Sequence, residues 1–130
     1  MHCVNASIFF SKILGLPSLN PSTKARLLEM KGRLDLLLYV SRGCPELHLG
    51  EVTNYTATKD WKAVFANGIG HPGDDGHLPK LLRALAHGEE VSRPFEKKGE
   101  ELGLMVTGDM WLKIGNMGKF SLPALNVYGI

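Results

Sequence analysis

The stretch "LPSLNPSTKARLLEMKGRLDLLLYVSRG", residues 16–43, contains the clearest helix signal of the chain. Asn20 precedes Pro21, and an asparagine N-cap followed by proline at the first helical position is a typical helix start. Gly43 can adopt the left-handed conformation that ends a helix. Apolar residues recur between these ends at helical spacing: Leu27, Leu28, Met30, Leu34, Leu37, Leu38 and Val40. We therefore expect a core helix over residues 21–42.

Two segments downstream also have helix boundaries. Pro45 opens "CPELHLGEV", which is long enough for one or two helical turns. In "DWKAVFANG", Asp60 is the expected N-cap and Gly68 the expected stop. Three residues of the helix between them are expected to face the core: Trp61, Val64 and Phe65.

The C-terminal half of the chain has two further helical patterns. "HLPKLLRALAHGEE", residues 77–90, repeats leucine at helical spacing and offers Gly88 as a stop; the leucines are Leu78, Leu81, Leu82 and Leu85. "SRPFEKKGEELGLMVTGDM" is typical of a solvated connector. A last helix is expected to start at Thr107 or Asp109, with Met110, Trp111 and Ile114 inward. Because no strand pair stands out, the sequence predicts a mostly α fold, an irregular helical domain.

Length and charge limit the functional classes. A chain of 130 residues has room for about one domain. Fifteen basic residues against 13 acidic ones give a net charge of +2, which argues against nucleic acid as a partner. Cys3 and Cys44 are too few for a disulfide framework, so we expect a cytoplasmic protein. Lys12 interrupts the apolar start, which is shorter than the ~20 residues of a membrane span, and no membrane association is expected.

The histidine-rich stretch "HPGDDGHLPKLLRALAHGEE", residues 71–90, allows two interpretations. A zinc site would need His71, Asp74, Asp75 and His77 to converge, and no compact ligand pair such as "HExxH" supports this. His87 lies ten residues beyond His77, about 15 Å along a helix, so these two cannot share an ion. We therefore predict no metal site and expect Asp74 or Asp75 to cap the following helix.

The polar face of that helix has two readings that stay open. Lys80, Arg83 and His87 lie opposite the leucines, with His77 at the margin. Such residues most often form a solvated surface. The same strip could orient an anionic or phenolate substrate, because two cations and an imidazole stabilise developing negative charge.

Other kinds of catalytic site lack their motifs. No Gly-x-Ser-x-Gly elbow supports a nucleophilic serine, and no Gly-x-Gly-x-x-Gly follows a strand, so neither a flavin nor a nucleotide motif is present. Trp61, Phe65 and Trp111 belong to apolar helix faces and are expected in the core.

Four blocks in order resemble the fungal questin oxidase-like family: "HCVNASIFFSKIL", "ARLLEMKGRLDLLLYVSRGCPELHLGEV", "DDGHLPKLLRALAHGEE" and "GDMWLKIGNM". The resemblance covers residues 1–117 and implies that the chain is a fragment of a longer all-α oxidoreductase. It implies Baeyer–Villiger type monooxygenase chemistry, in which anthraquinone-like aromatic polyketides undergo oxidative ring cleavage in secondary metabolism. NADPH is the cofactor that the resemblance implies.

Site residues follow from the resemblance residue by residue. His77 and His87 are the catalytic candidates, and five residues are candidates for substrate binding: Lys80, Arg83, Asp75, Asp109 and Trp111. Residues 118–130, "GKFSLPALNVYGI", depart from the family pattern and form a divergent tail, as a retained intron would encode. The alternative is a non-catalytic helical interaction module that packs against another chain, including self-association through exposed apolar helix faces.

Overall fold

The computed structural model describes residues 2–69, 74–99 and 101–118, and these contain helices and no strand. The α-helices in chain order are α1 His2–Ile13, α2 Pro21–Ser41, α3 Leu49–Asn54, α4 Trp61–Ile69, α5 His77–Ser92 and α6 Met110–Met117. A 3-10 helix, Arg93–Lys98, follows α5. The mostly α fold class is confirmed. The chain divides into two compact units, Met1–Leu47 and His48–Ile130.

Helix α2 of the first unit begins where the sequence predicts. The backbone N–H of Thr23 donates to Asn20 Oδ1 at 2.8 Å, which satisfies one of the unpaired amides at the helix start. At the other end Gly43 has a φ of 79°. The helix ends at Ser41, one residue before the expected boundary. The capping signals of the sequence are therefore confirmed.

The prediction that α2 is a core helix is wrong. No residue of α2 is buried, and Leu34 and Leu37 are 51% and 64% exposed. Within its unit α2 packs against α1. A single neighbouring helix such as α1 can cover only one face of α2. The apolar residues of α2, however, are distributed around more than half of its circumference. Burial needs a second surface that the first unit does not provide.

Helix α1 is formed by the apolar start of the chain. It runs from His2 to Ile13 and buries none of its residues fully. Among the described helices, none combines the length and the apolar character that crossing a membrane requires.

The second unit has a small core made by α4, α5 and α6. Val64, Leu78 and Leu82 are 4%, 3% and 1% exposed, and three half-buried side chains pack around them: Trp61, Phe65 and Leu112. Asp60 caps α4 as predicted, because its Oδ1 accepts a hydrogen bond from the backbone N–H of Ala63 at 2.8 Å. The inward direction of Trp61, Val64 and Phe65 is confirmed.

Two glycines expected to end helices lie inside them instead. Helix α4 continues through Gly68 to Ile69, and α5 continues through Gly88 to Ser92. A Cβ on Gly68 would collide with the side chain of Leu82, and one on Gly88 would lie 2.5 Å from the indole ring of Trp111. Both predictions of a stop are wrong because these glycines serve close helix packing.

The connector after α5 is more regular than predicted. Arg93–Lys98 forms a 3-10 helix with its proline near the start. Glu96 Oε1 accepts a hydrogen bond from the backbone N–H of Gly108 at 2.8 Å, so the connector is tied to the segment that leads into α6. Helix α3 begins at Leu49, four residues after Pro45. Lys113 of α6 donates to the carbonyl oxygen of Thr53 at 2.9 Å and joins α6 to the end of α3.

Candidate functional site

The start of α5 is organised by two consecutive aspartates. Asp74 Oδ1 accepts from the backbone N–H of Leu78 at 3.0 Å, and Asp74 Oδ2 accepts from that of Gly76 at 2.9 Å. Gly76 has a φ of 89°, a conformation that glycine adopts without strain. Of the two capping candidates, Asp74 therefore fills the role. Its neighbour Asp75 is left for another partner.

That partner is His77, the first residue of α5. Its Nδ1 and Asp75 Oδ1 form a hydrogen bond, with the two side chains 33% and 73% exposed. The hydrogen bond from His77 is the main cause that holds the pKa of the Asp75 carboxyl below its ordinary value of 3.8. A carboxylate on one ring nitrogen fixes the orientation of an imidazole and directs proton exchange to the other nitrogen. We call Asp75 and His77 the Asp–His pair.

The predicted strip on α5 lies on the surface. Lys80 and Arg83 are exposed, while the opposite face is buried in the core. His77 and His87 share the helix, but ten residues separate them, about 15 Å along the axis. The strip therefore exists as predicted, but its two histidines cannot act on the same reacting atom.

The two candidates near the start of α6, Trp111 and Asp109, lie in different surroundings. The ring of Trp111 lies against Gly88, the residue after His87, and so belongs to the packing contact between α5 and α6. Within the described part of the chain, the buried indole Nε1 of Trp111 has no hydrogen-bond partner. Asp109 is 72% exposed and forms an ion pair with Lys113 at 3.1 Å. The structure thus places Trp111 in the contact between α5 and α6 and Asp109 on the surface, and brings neither to the strip.

A cavity of about 140 Å³ lies on the other face of α5. Its apolar wall consists of Val64, Gly68, Leu78, Leu82 and Gly115, and its polar wall of Tyr55, Thr58, Lys59 and Asn116. None of the seven site residues expected from the sequence lines it. Periodicity predicted the leucines as core, and it did not indicate that the core leaves a gap.

Asn116 is the polar group that the sequence analysis missed. It is 7% exposed and lies within the apolar helix "MWLKIGNM". Its Oδ1 accepts from the backbone N–H of Lys59 at 3.1 Å, and its Nδ2 donates to the carbonyl oxygens of Lys59 at 3.0 Å and Leu112 at 2.9 Å. A single amide inside an apolar helical pattern is the signal that would have identified it. It fixes the segment before α4 to α6.

A metal site and an NADPH site would each need a specific arrangement of side chains and backbone groups. In residues 2–69, 74–99 and 101–118, no three His, Cys, Asp or Glu side chains are grouped to hold a metal; His71 lies outside these residues. A dinucleotide is far larger than the 140 Å³ cavity. At the start of α5, the Asp74 carboxylate takes backbone N–H groups that a pyrophosphate would need. The described residues do not fit NADPH.

Comparison with known proteins gives a consistent set of relatives. A family model described as questin oxidase-like matches residues 1–85. The Baeyer–Villiger oxidase mdpL of Emericella nidulans is 48% identical over 122 residues, which are 90% of this chain and 26% of that protein. The questin oxidase of Aspergillus terreus is 41% identical over 121 residues, and the Baeyer–Villiger oxidase ptaJ of Pestalotiopsis fici 39% over 122; each alignment covers 90% of this chain and 27% of the relative. The chain thus spans about a quarter of the length of these relatives. No solved structure matches.

Proposed function

Because this chain belongs to the questin oxidase-like family, we propose that it contributes to an oxidoreductase that opens a ring of an anthraquinone-like polyketide by Baeyer–Villiger type oxidation. The observation that carries the proposal is the family match over residues 1–85, a region that includes the Asp–His pair. The names of the relatives, Baeyer–Villiger oxidase and questin oxidase, support the reaction class. We further propose that the protein acts in the cytoplasm.

The Asp–His pair suits proton transfer with a phenolic substrate. In the proposed role, His77 accepts the proton of a phenol hydroxyl, and Asp75 holds the ring in place and stabilises the imidazolium that forms. Lys80 follows one helical turn later on the same side. Its ammonium and the guanidinium of Arg83 would stabilise the phenolate by electrostatic attraction once water is excluded from the strip.

The C-terminal half of the strip would contact a separate part of the substrate. His87 lies about 15 Å from His77, so we assign it a different contact or proton. We assign Trp111 to substrate binding from the family resemblance; its ring packs against Gly88, and its indole N–H has no partner in the described residues. The assignment of Asp109 to substrate binding rests on the family resemblance alone, because Asp109 pairs with Lys113.

NADPH remains part of the proposal only through the family resemblance. It would supply reducing equivalents to the oxidation. Since the described residues do not form a dinucleotide site, no step of the proposed chemistry is assigned to it here, and the chain's own residues are assigned substrate orientation and proton transfer.

A chimera tests the proposed function. Residues 1–118 would replace the matching quarter of the Emericella nidulans relative, and turnover of an anthraquinone-like substrate would be measured. We expect His77→Gln to lower turnover by about a hundredfold or more, since general acid–base groups contribute that much. His48→Gln is the matched control, as His48 lies outside the strip. Wild-type turnover in both His77→Gln and His87→Gln chimeras would refute the assignment.

A second candidate function, the interaction module, is favoured by the exposed face of α2. Met30, Leu34 and Leu37 are 58%, 51% and 64% exposed. They are spaced by four and three residues, the spacing with which two helices interlock side chains. We propose that a second copy of the chain covers this face, because an identical helix presents a row of the same spacing.

Sedimentation analysis distinguishes this candidate. The double variant Leu34→Lys and Leu37→Lys should be monomeric where the parent chain is a dimer, because charges at the centre of an apolar contact oppose burial. Leu102→Lys with Met105→Lys is the control pair, with similar exposures of 51% and 59% in the other unit. A parent chain that is monomeric at all concentrations would exclude self-association.

A further inference from the structure

We propose that the cavity between α4, α5 and α6 binds a single phenolic ring whose hydroxyl donates a hydrogen bond to the amide oxygen of Asn116. The inference rests on the proposed function only where it takes this ring to be one edge of an aromatic polyketide. The binding itself follows from the size, the lining and the hydrogen-bonding capacity of the cavity.

Size selects one ring. The cavity holds about 140 Å³, and apolar cavities of about 150 Å³ in proteins admit benzene. Sites for drug-sized ligands begin at about 300 Å³. Three fused rings would therefore not fit inside, whereas one terminal ring would, with the remainder of the molecule at the mouth.

The apolar wall favours an aromatic ring over water. Val64, Leu78 and Leu82 are at most 4% exposed and supply no hydrogen-bonding group. Water held against this wall would have no polar partner on that side, and buried water needs two to four. A ring placed there gains apolar contact on the wall side and keeps its substituents toward the polar residues.

Asn116 favours a substituent that donates a hydrogen bond. Both of its amide N–H donors are used, by the carbonyl oxygens of Lys59 and Leu112. Among the described residues, its Oδ1 accepts one hydrogen bond, from the backbone N–H of Lys59, although an amide oxygen can accept two. The Asn116 Oδ1 can therefore accept one more hydrogen bond. A ligand hydroxyl can donate it, whereas a quinone carbonyl, which has no hydrogen to donate, cannot.

The cavity and the strip lie on opposite faces of α5. Leu78 and Leu82 line the cavity, whereas Lys80 and Arg83 point to the exposed side. A ring bound in the cavity is therefore an anchor, separate from the position at which the Asp–His pair would exchange a proton. It would select substrates with a free hydroxyl on a terminal ring.

Phenol binding to the complete 130-residue chain tests the inference. Titration followed by amide NMR should give saturable shifts for residues of α4 to α6. Phenol should bind about three- to tenfold more tightly than anisole, whose oxygen cannot donate, and than benzene. Val64→Ile, which adds a methylene to the cavity wall, should weaken phenol binding by about tenfold. Val91→Ile is the same change at a residue outside the lining, 43% exposed on α5, and should leave binding unchanged.

Four results would overturn the inference: no saturable phenol shift, equal affinity for phenol and anisole, equal weakening by Val64→Ile and Val91→Ile, or shifts confined to the surface strip. The titration needs no turnover, so it fails separately from the proposed function. An inactive chimera whose parent chain binds phenol would contradict only the proposed function. An active chimera whose parent chain does not bind phenol would contradict only this inference.

Discussion

Asp74 and Asp75 are neighbours with the same side chain, yet their carboxylates have different hydrogen-bond partners. The carboxylate of Asp74 accepts hydrogen bonds from backbone N–H groups at the start of α5, whereas that of Asp75 is hydrogen-bonded to His77. The sequence predicted a cap at one of the two positions and could not choose between them. The choice depends on the turn that leads into α5, in which Gly76 has a φ of 89°. Which aspartate caps the helix therefore depends on the local backbone conformation, and the residue types only limit that conformation.

The pKa of Asp75 depends on the pairing of this residue with His77. His77→Gln removes the hydrogen bond that lowers this pKa, so the value should rise toward 3.8. In the parent chain, the stabilising pair is present above pH 3.8 and is lost as pH falls through the lowered pKa of Asp75. Carboxyl NMR titration measures both values. His87→Gln should leave the Asp75 titration as it is, and an unchanged value in His77→Gln would contradict the pairing.

Gly88 is a second residue whose role is set by its neighbour. We expect Gly88→Ala to destabilise the second unit by roughly 1–3 kcal/mol, because its Cβ would meet the ring of Trp111. Gly32→Ala on α2 is the control: nothing lies within 4 Å of its Cβ, so it should stabilise its helix by about 1 kcal/mol. Denaturant unfolding followed by tryptophan fluorescence measures the first change, and circular dichroism the second. A stabilising Gly88→Ala would show that Trp111 packs elsewhere.

At the scale of the element, four helices were predictable, and so was the buried face of α4 and of α5, but the exposure of α2 was not. Capping residues and apolar spacing located α2, α4, α5 and α6 to within a few residues. The ends of α4 and α5 were misplaced, since glycine is common both after helices and at close contacts between them. The 3-10 helix was missed because Pro94 signals either a break or a helix start. Which apolar face is covered depends on partners outside each helix.

Helix α5 allows a graded prediction. Leu85 is 4% exposed and Leu81 is half-buried, although both belong to the predicted apolar face. Leu85→Ala should therefore cost roughly 2–4 kcal/mol of unfolding free energy, and Leu81→Ala clearly less, since a partly exposed site leaves a smaller cavity. Urea unfolding of the two variants compares them directly. Equal losses would mean that Leu81 is covered in solution.

At the scale of the molecule, the two units differ in how they are stabilised. The second unit has its own core, formed by Val64, Leu78 and Leu82. Hydrogen bonding of Asn116 to the backbone of Lys59 further connects its segments. The first has two helices, and none of its described residues, 2–47, is fully buried. The candidate site was predicted in part: the strip lies on one helix and could be inferred from its periodicity, whereas the pairing of Asp75, which precedes α5, with His77 was not predicted. The cavity joins residues from four segments, and their meeting is a tertiary property.

The units should therefore behave differently when separated. Residues 48–130 alone should keep cooperative thermal unfolding, because every residue of the core cluster lies within them. Residues 1–47 alone should show weak helicity that fades gradually on heating, as short helices without a core do in water. Circular dichroism of the two peptides measures this. Gradual melting of residues 48–130 would contradict an independent core.

The leucine-rich surface of α2 also has a consequence for the life of the protein in a cell. A helix that presents Leu34, Leu36 and Leu37 to water resembles an unfinished folding intermediate. Chaperones and proteases survey such surfaces continuously, and small differences in their exposure change steady-state amounts several-fold. The cellular abundance of this chain is therefore expected to follow the availability of whatever covers α2, so that an excess of uncovered copies is degraded first.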